Sequence, residues 1–147
     1  MKKEIQSSAA MREFGAALGA QLTGKETIEL VGDVGAGKTT FVKGLARGLG
    51  VEEDVQSPSF TISRVYDGHD GIILAHYDFY RLGEAGILSE DLAESLHDDK
   101  TVTVIEWSGI VGDALPDDRL RISFMTTTED RRLLEIDLPE SLRGLAL

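Results

Sequence analysis

The sequence predicts a single α/β domain, and three observations indicate it. A glycine-rich stretch, residues 32–39, lies between a predicted strand and a predicted helix. Further along the chain, apolar runs and alternating apolar and polar residues predict more strands, some of them paired as antiparallel hairpins. The 147 residues suffice for one ordinary domain with a substantial core. We therefore expect one domain over 1–147, with no room for a separate substrate domain.

The chain opens with a predicted edge strand, Lys3–Gln6, which is followed by a helix. Ser7 or Ser8 is a candidate N-cap, and apolar residues at helical spacing continue to about Leu22. Two glycines within this stretch would weaken the helix unless a partner element packs close to them.

The glycine-rich stretch, Gly32–Thr39, fits the pattern G-x-x-x-x-G-K-[ST] of a phosphate-binding P-loop. Its context is the required one, because the strand Glu26–Val31 precedes it and a helix that stops at Gly50 follows it. Glycines allow the backbone N–H groups to approach a polyphosphate closely. Lys38 would reach the β- and γ-phosphates, and the hydroxyl of Thr39 would bind Mg²⁺. The pattern predicts a nucleoside triphosphate site.

The rest of the chain predicts a hairpin, a helix, a strand and a second hairpin. In order, these are strands Thr61–Tyr66 and Ile72–Tyr77, a helix from about Ser89, a strand Thr101–Ile105, alternating strands around Leu120–Phe124 and Leu134–Leu138, and a short helix after Pro139.

Composition excludes several kinds of site. The chain has no cysteine, which excludes disulfides, thiolate metal sites and a cysteine nucleophile. Its 26 acidic and 15 basic residues give a formal charge of −11, which argues against tight nucleic-acid binding by the chain alone. Neither an apolar leader nor a run long enough to span a membrane is present. We expect a soluble, cytoplasmic protein with no membrane partner.

Two acidic residues follow predicted strands, where ligands of open α/β sheets bind. They are Asp78, after Ile72–Tyr77, and Glu106, after Val102–Ile105. One could hold Mg²⁺ directly or through water, while the other orients or deprotonates the attacking water. The alternative for each is a solvated turn.

Three further features each allow two or more interpretations. The hydroxyl-rich segment Ser57–Thr61 could be a switch ordered by γ-phosphate, or a turn set by Pro58. His76 is more readily a structural histidine than a metal ligand. Trp107 could cover the nucleotide, form part of an interface or pack in the core.

Arginines offer candidate stabilisers of phosphate charge. They are Arg81 and either Arg131 or Arg132. For each, the alternative is a surface salt bridge.

These motifs together resemble the TsaE family, formerly called YjeE. The matching pieces, in the family's order and spacing, are Gly32–Thr40, Ser57–Thr61, His76–Arg81 and Glu106-Trp107. The P-loop is common to many families, whereas the other three motifs are far more particular. The resemblance covers nearly the whole chain, including the C-terminal hairpin.

The resemblance implies a modified P-loop fold, a three-layer sandwich with a central mixed β-sheet between helices. It implies slow, Mg²⁺-dependent ATP hydrolysis required for threonylcarbamoyladenosine at position 37 of tRNAs that read ANN codons. Such proteins act with TsaB and TsaD. TsaD carries out the carbamoyl transfer, and ATP use is thought to reset the complex.

The resemblance also assigns roles to individual residues. Lys38, Asp78 and Glu106 would be catalytic, and Thr39 and Glu106 would hold the metal. The residues it assigns to nucleotide binding are Ser8, Val34, Gly35, Ala36, Gly37, Lys38, Thr39, Thr40, Thr61, Trp107 and Arg131.

The chain departs from the family pattern at three places. Ser59 stands where threonine is common, so a hydroxyl is kept, and Val34 replaces the usual leucine of the P-loop. After Glu106-Trp107 the family usually continues with proline and a second glutamate, whereas this chain has Ser108-Gly109-Ile110. No role of that later acid can be transferred.

Three rival functions make different demands on the sequence. A GTP switch protein would need an Asn/Thr-Lys-x-Asp element, which does not occur. A small-molecule kinase would need a lid with arginines, but Gly83–Lys100 is acidic and contains none. A nucleotide-dependent interaction module would differ from a slow ATPase only in its rate.

Overall fold

A mixed β-sheet runs through the part of the chain that the structure describes. The structure is a computed structural model, which describes residues 1–33, 35–56, 63–79, 88–107, 109 and 114–147. The strands are β1 (Lys2–Ile5), β2 (Thr27–Val31), β3 (Ser63–Asp67), β4 (Ile73–Asp78), β5 (Thr101–Glu106), β6 (Leu120–Thr126) and β7 (Arg132–Asp137). The helices are α1 (Ser8–Gly19), α2 (Lys38–Gly48) and α3 (Leu88–His97), with short 3-10 turns at His69–Gly71 and Glu140–Leu142.

The strand order, β1-β7-β6-β2-β5-β4-β3, confirms the predicted mixed sheet. Strands β6, β2, β5 and β4 are mutually parallel in the centre. Strands β1, β7 and β3 pair antiparallel at the two sides. Both predicted hairpins are therefore present, and β1 is the edge strand that the sequence predicts. Because the central strands are parallel, β2, β4 and β5 all end at one edge of the sheet.

The predicted boundaries agree with the structure to within a few residues. The first helix ends at Gly19, earlier than the predicted Leu22, because the N–H groups of Gln21 and Leu22 bond carbonyl oxygens three residues back instead of four. Its N-cap is Ser7, whose hydroxyl accepts a hydrogen bond from the N–H of Ala10 at 3.1 Å. The predictions on Val34, on the segment Ser57–Thr61 and on Arg81 lie outside the described residues.

Helices α1 and α2 pack against each other through glycines. Gly15 and Gly19 of α1 face Phe41 and Leu45 of α2, and a Cβ at either glycine would collide with those backbones. Gly44 and Gly48 of α2 face α1 in the same way. Helix α2 is therefore the closely packed partner element that the glycines of α1 predict.

The two faces of the sheet carry different layers. A larger apolar cluster joins α1 and α2 to one face, with side chains such as Leu18, Phe41 and Val104 almost fully enclosed. A smaller cluster packs Leu92 of α3 against Ile105 on the other face. The layers are helix, sheet and helix, as the sequence and its resemblance predict. Among the described residues, no helix combines the length and the apolar character needed to span a bilayer.

Candidate functional site

The P-loop joins the end of β2 to the start of α2, and its backbone conformation requires glycine. Gly35 and Gly37 have φ values of 83° and 104°, which side chains rarely tolerate. A Cβ at Gly32 would approach the carbonyl oxygen of Phe124 within 2.8 Å. Gly37 directly precedes α2, so the first N–H groups of that helix open onto the loop. This geometry suits an anion.

Lys38 is buried at the start of α2, and its ammonium has three kinds of neighbour. Nζ donates a hydrogen bond to the carbonyl oxygen of Gly32 at 2.6 Å. It lies 3.8 Å from Oε1 of Glu106 and 4.3 Å from the ring centre of Trp107. A carbonyl, a carboxylate and an aromatic face thus hold the cation inside the loop.

Glu106 ends β5, and the residue is 3% exposed. Oε1 faces Lys38, whereas Oε2 lies 2.5 Å from Nε2 of His76. His76 is fully buried on β4, the neighbouring strand. The histidine is therefore packed and hydrogen-bonded, which agrees with its structural interpretation, but its partner is the predicted metal-binding acid. The solvated-turn alternative for Glu106 is wrong.

Asp78 is the register partner of Glu106 on β4 and is half-buried. The structure thus brings together the two acids that the sequence predicts at this edge. Asp78 makes further polar contacts of its own.

Trp107 follows Glu106 in an unusual backbone conformation. Its φ is 57°, one of two positive values found at non-glycine positions of the described chain. Its ring packs on the smaller apolar cluster and also lies beside Lys38. The Trp107 ring thus satisfies two of the predicted alternatives at once, because it packs on the core and also lies beside the candidate nucleotide site. Positive φ at such a residue is typical of functional sites.

The second hairpin brings Arg132 to the P-loop. Its Nη2 donates to the carbonyl oxygen of Gly35 at 3.3 Å, and its Nη1 donates to three carbonyls of the hairpin turn. Arg131 instead lies 3.9 Å from a carboxylate oxygen of Glu4. The nucleotide contact assigned to Arg131 stays a prediction, whereas Arg132 is the arginine that contacts the loop.

The other predicted residues that the structure describes lie on or near the loop. Ser8 is the exposed first residue of α1, and Met11, one turn later, approaches the Cβ position of Gly37 within 3.2 Å. Ala36 is buried, while Thr39 and Thr40 are half-buried in the first turn of α2. Val34 and Thr61 lie outside the described residues.

The donors at this site fit Mg²⁺. Thr39 and Glu106 offer a hydroxyl and a carboxylate, the oxygen ligands that this ion prefers. The described residues contain no cluster of three or more histidine, aspartate or glutamate side chains that could hold a metal. P-loop sites need no such cluster, because substrate phosphates and water supply the other ligands.

Glu26 organises the turn that leads into β2. Its carboxylate accepts hydrogen bonds from the N–H groups of Thr23, Gly24 and Lys25 and from the hydroxyl of Thr23, at 2.8–3.0 Å. Burial raises the pKa of Glu26 as the largest single effect, but the hydrogen bonds together outweigh it and leave the pKa below its usual value. This acid fixes the entry to the P-loop strand.

Comparison with protein families matches residues 5–134 to the family described as threonylcarbamoyl adenosine biosynthesis protein TsaE. The chain belongs to the TsaE family. The resemblance seen in the motifs is thereby confirmed over most of the chain.

Three relatives carry the name tRNA threonylcarbamoyladenosine biosynthesis protein TsaE. The one from Bacillus subtilis is 42% identical over 110 residues, 73% of this chain and 66% of the relative. The one from Streptomyces coelicolor is 42% identical over 76% of each chain. The one from Treponema pallidum is 34% identical over 92% of this chain and 99% of its own length.

A solved structure has the same fold. The crystal structure of Bacillus subtilis YdiB superposes with a TM-score of 0.75 at 30% identity, covering 96% of this chain and 86% of that chain.

Two contacts at the candidate site were missed by sequence reasoning. The bond between His76 and Glu106 and the contact of Arg132 with Gly35 join residues on different strands or loops. The spacing of His76 two residues before Asp78 shows that they share a face, but not which residue of β5 is opposite. The motif therefore singled out His76 but did not predict that Glu106 is its hydrogen-bond partner.

Proposed function

We propose that this TsaE-family protein is a Mg²⁺-dependent ATPase that acts in threonylcarbamoyladenosine modification of tRNA. The observation that carries the ATPase part is the position of Lys38, 3.8 Å from the buried Glu106 beneath a glycine-rich loop. The tRNA-modification part rests on family membership and on the names of the relatives. The proposal includes the site of modification, position 37 of tRNAs that read ANN codons. It also includes joint action with the proteins TsaB and TsaD.

Binding would begin at backbone groups. The N–H groups of the loop and of the first turn of α2 would bind the phosphates, together with the positive end of the helix dipole. Lys38 would exchange the carbonyl oxygen of Gly32 for β- and γ-phosphate oxygens. Trp107, already beside the ammonium, would limit access of water to this contact.

Thr39 and Glu106 would hold Mg²⁺. A metal ion held there would supply charge neutralisation on the phosphates and so favour departure of ADP. Asp78, beside Glu106 in the register, would orient the attacking water or help to hold the metal ion.

The kinase alternative finds little support in the described part of the chain. The stretch where a lid would fall contains α3, and Leu92 of this helix is fully buried against the sheet. A helix that forms part of the core is poorly placed to open and close over a substrate.

The test is turnover of [γ-³²P]ATP by the purified chain, with and without TsaB and TsaD. We expect slow phosphate release that depends on Mg²⁺ and responds to the partners. Lys38→Ala should abolish it, whereas Lys43→Ala, which removes an exposed lysine of the same helix, should not. Transfer of label to a small-molecule acceptor would favour a kinase. Failure of the wild-type chain to bind ATP would exclude the proposal.

A further inference from the structure

His76 is a buried polar side chain that the proposed hydrolysis does not use. It is fully enclosed on β4, and Leu74 and Val104, its neighbours on the same face, are apolar and equally buried. An imidazole in such a place is costly unless it is hydrogen-bonded. Within the described chain, Nδ1 of His76 has no hydrogen-bond partner. The hydrogen bond between Nε2 and Glu106 is therefore the one that offsets the cost of burying the imidazole. Packing alone would be served better by an aliphatic side chain.

The bond fixes the direction of the Glu106 carboxylate. Because an ionised carboxylate can only accept, Nε2–H of His76 donates to Oε2. The other oxygen, Oε1, is thereby left on the side of Lys38, at 3.8 Å. That distance is longer than a direct hydrogen bond between an ammonium and a carboxylate, which is about 2.8 Å. Glu106 is thus an ion-pair neighbour of Lys38 but forms no direct hydrogen bond with its ammonium.

We propose that His76 is a positioning residue for Glu106. It holds one carboxylate oxygen so that the other stays directed at the P-loop, where it can bind Mg²⁺ while Lys38 remains available to phosphate. Partners that hydrogen-bond a metal ligand orient it in this way in many metal sites. The inference rests on the proposed ATPase function for its kinetic consequences, but the orientation of Glu106 can be measured without nucleotide.

The experiment compares His76→Leu with His76→Gln. Leucine fills the space without a donor, whereas the amide nitrogen of glutamine reaches about as far as Nε2 of histidine. We expect His76→Leu to raise the Mg²⁺ concentration for half-maximal ATP turnover by about tenfold. Binding of ATP without Mg²⁺, followed by fluorescence of Trp107, the single tryptophan, should stay near the wild-type value. His76→Gln should restore the Mg²⁺ dependence, which a purely structural role would not predict.

Crystal structures of the two variants without nucleotide give the second measurement. In His76→Leu the Glu106 carboxylate should rotate onto Nζ of Lys38 at hydrogen-bond distance, and in His76→Gln it should keep its wild-type direction. If His76→Leu does not fold, His76→Asn replaces it, because its shorter amide cannot reach Oε2.

The outcomes separate this inference from the proposed function. An unchanged Mg²⁺ dependence in an active His76→Leu enzyme, or an unmoved carboxylate in its crystal structure, would overturn the positioning role. Equal loss of stability and of Mg²⁺-free binding in the Leu and Gln variants would do the same. A wild-type chain that binds no ATP, with a rotated carboxylate in His76→Leu, would overturn the ATPase proposal and support the positioning role.

Discussion

Arg132 donates a hydrogen bond from Nη2 to the carbonyl oxygen of Gly35, 97 residues earlier in the chain. The contact ties the start of β7 to the P-loop. Since Nη1 is held by carbonyls of the hairpin turn, the guanidinium is oriented before any ligand binds.

Arg132→Ala should weaken ATP binding by about fivefold, the size expected for one partly exposed hydrogen bond. The P-loop would lose the hydrogen bond that joins Gly35 to the second hairpin. Isothermal titration with ATP measures the effect. Arg131→Ala is the matched control, because this neighbour pairs with Glu4 of β1 instead. A larger loss in Arg131→Ala would reverse the assignment and favour the contact that the family resemblance implies.

Glu106→Gln should reduce Mg²⁺-dependent turnover far more than Mg²⁺-free ATP binding. The substitution keeps the size of the side chain but removes the charge that a metal ion needs. Turnover at several Mg²⁺ concentrations, with Glu129→Gln as an exposed control, measures the difference. Equal losses in both quantities would mean that Glu106 serves only the structure.

Glu26→Gln should lower the free energy of unfolding at pH 7 by about 1–3 kcal/mol, because buried donors of the turn lose a charged acceptor. The pKa of Glu26 is lower in the folded chain than its usual 4.5. Its stabilisation is therefore present above pH 4.5 and is lost as the pH falls through the folded-state pKa.

Urea unfolding of the wild type and of Glu26→Gln, from neutral to acidic pH, measures this dependence. The gap between the two proteins should narrow as the solution becomes acidic. Glu53→Gln, at an exposed position, should show no gap at any pH. A gap that widens in acid would contradict the assigned direction of the pKa shift.

Gly44→Ala should destabilise the protein by about 1–3 kcal/mol, although alanine is the better helix former. The added Cβ would collide with the backbone at Arg12 of α1. Thermal unfolding measures the change. Gly144→Ala is the control, because nothing lies within 4 Å of a Cβ there. A stabilised Gly44→Ala would show that the helices separate easily.

The pattern of apolar and polar residues was sufficient to predict the strands, the helices and the P-loop. Alternation of apolar residues predicted β6 and β7, and the P-loop pattern predicted the strand, loop and helix that the structure shows as β2, the loop and α2. These features depend on neighbours in the chain, where periodicity and backbone sterics decide the outcome.

Contacts across the sheet could not be predicted in the same way. The bond from His76 to Glu106 requires that β4 and β5 be adjacent, parallel and in one particular register. The choice between Arg131 and Arg132 depends on which of two consecutive residues of the hairpin faces the loop. A shift of one residue would reverse that choice, and nothing local in the sequence determines it.

The contact between α1 and α2 has a mechanical consequence. Glycines bring the two helix backbones into direct contact, so at these positions no side chain lies between them to absorb a displacement. When the first turn of α2 shifts, where phosphates would bind, α1 should therefore move with α2 as one rigid body. The N-terminal helix, and the surface it presents to other molecules, would then follow the state of the P-loop.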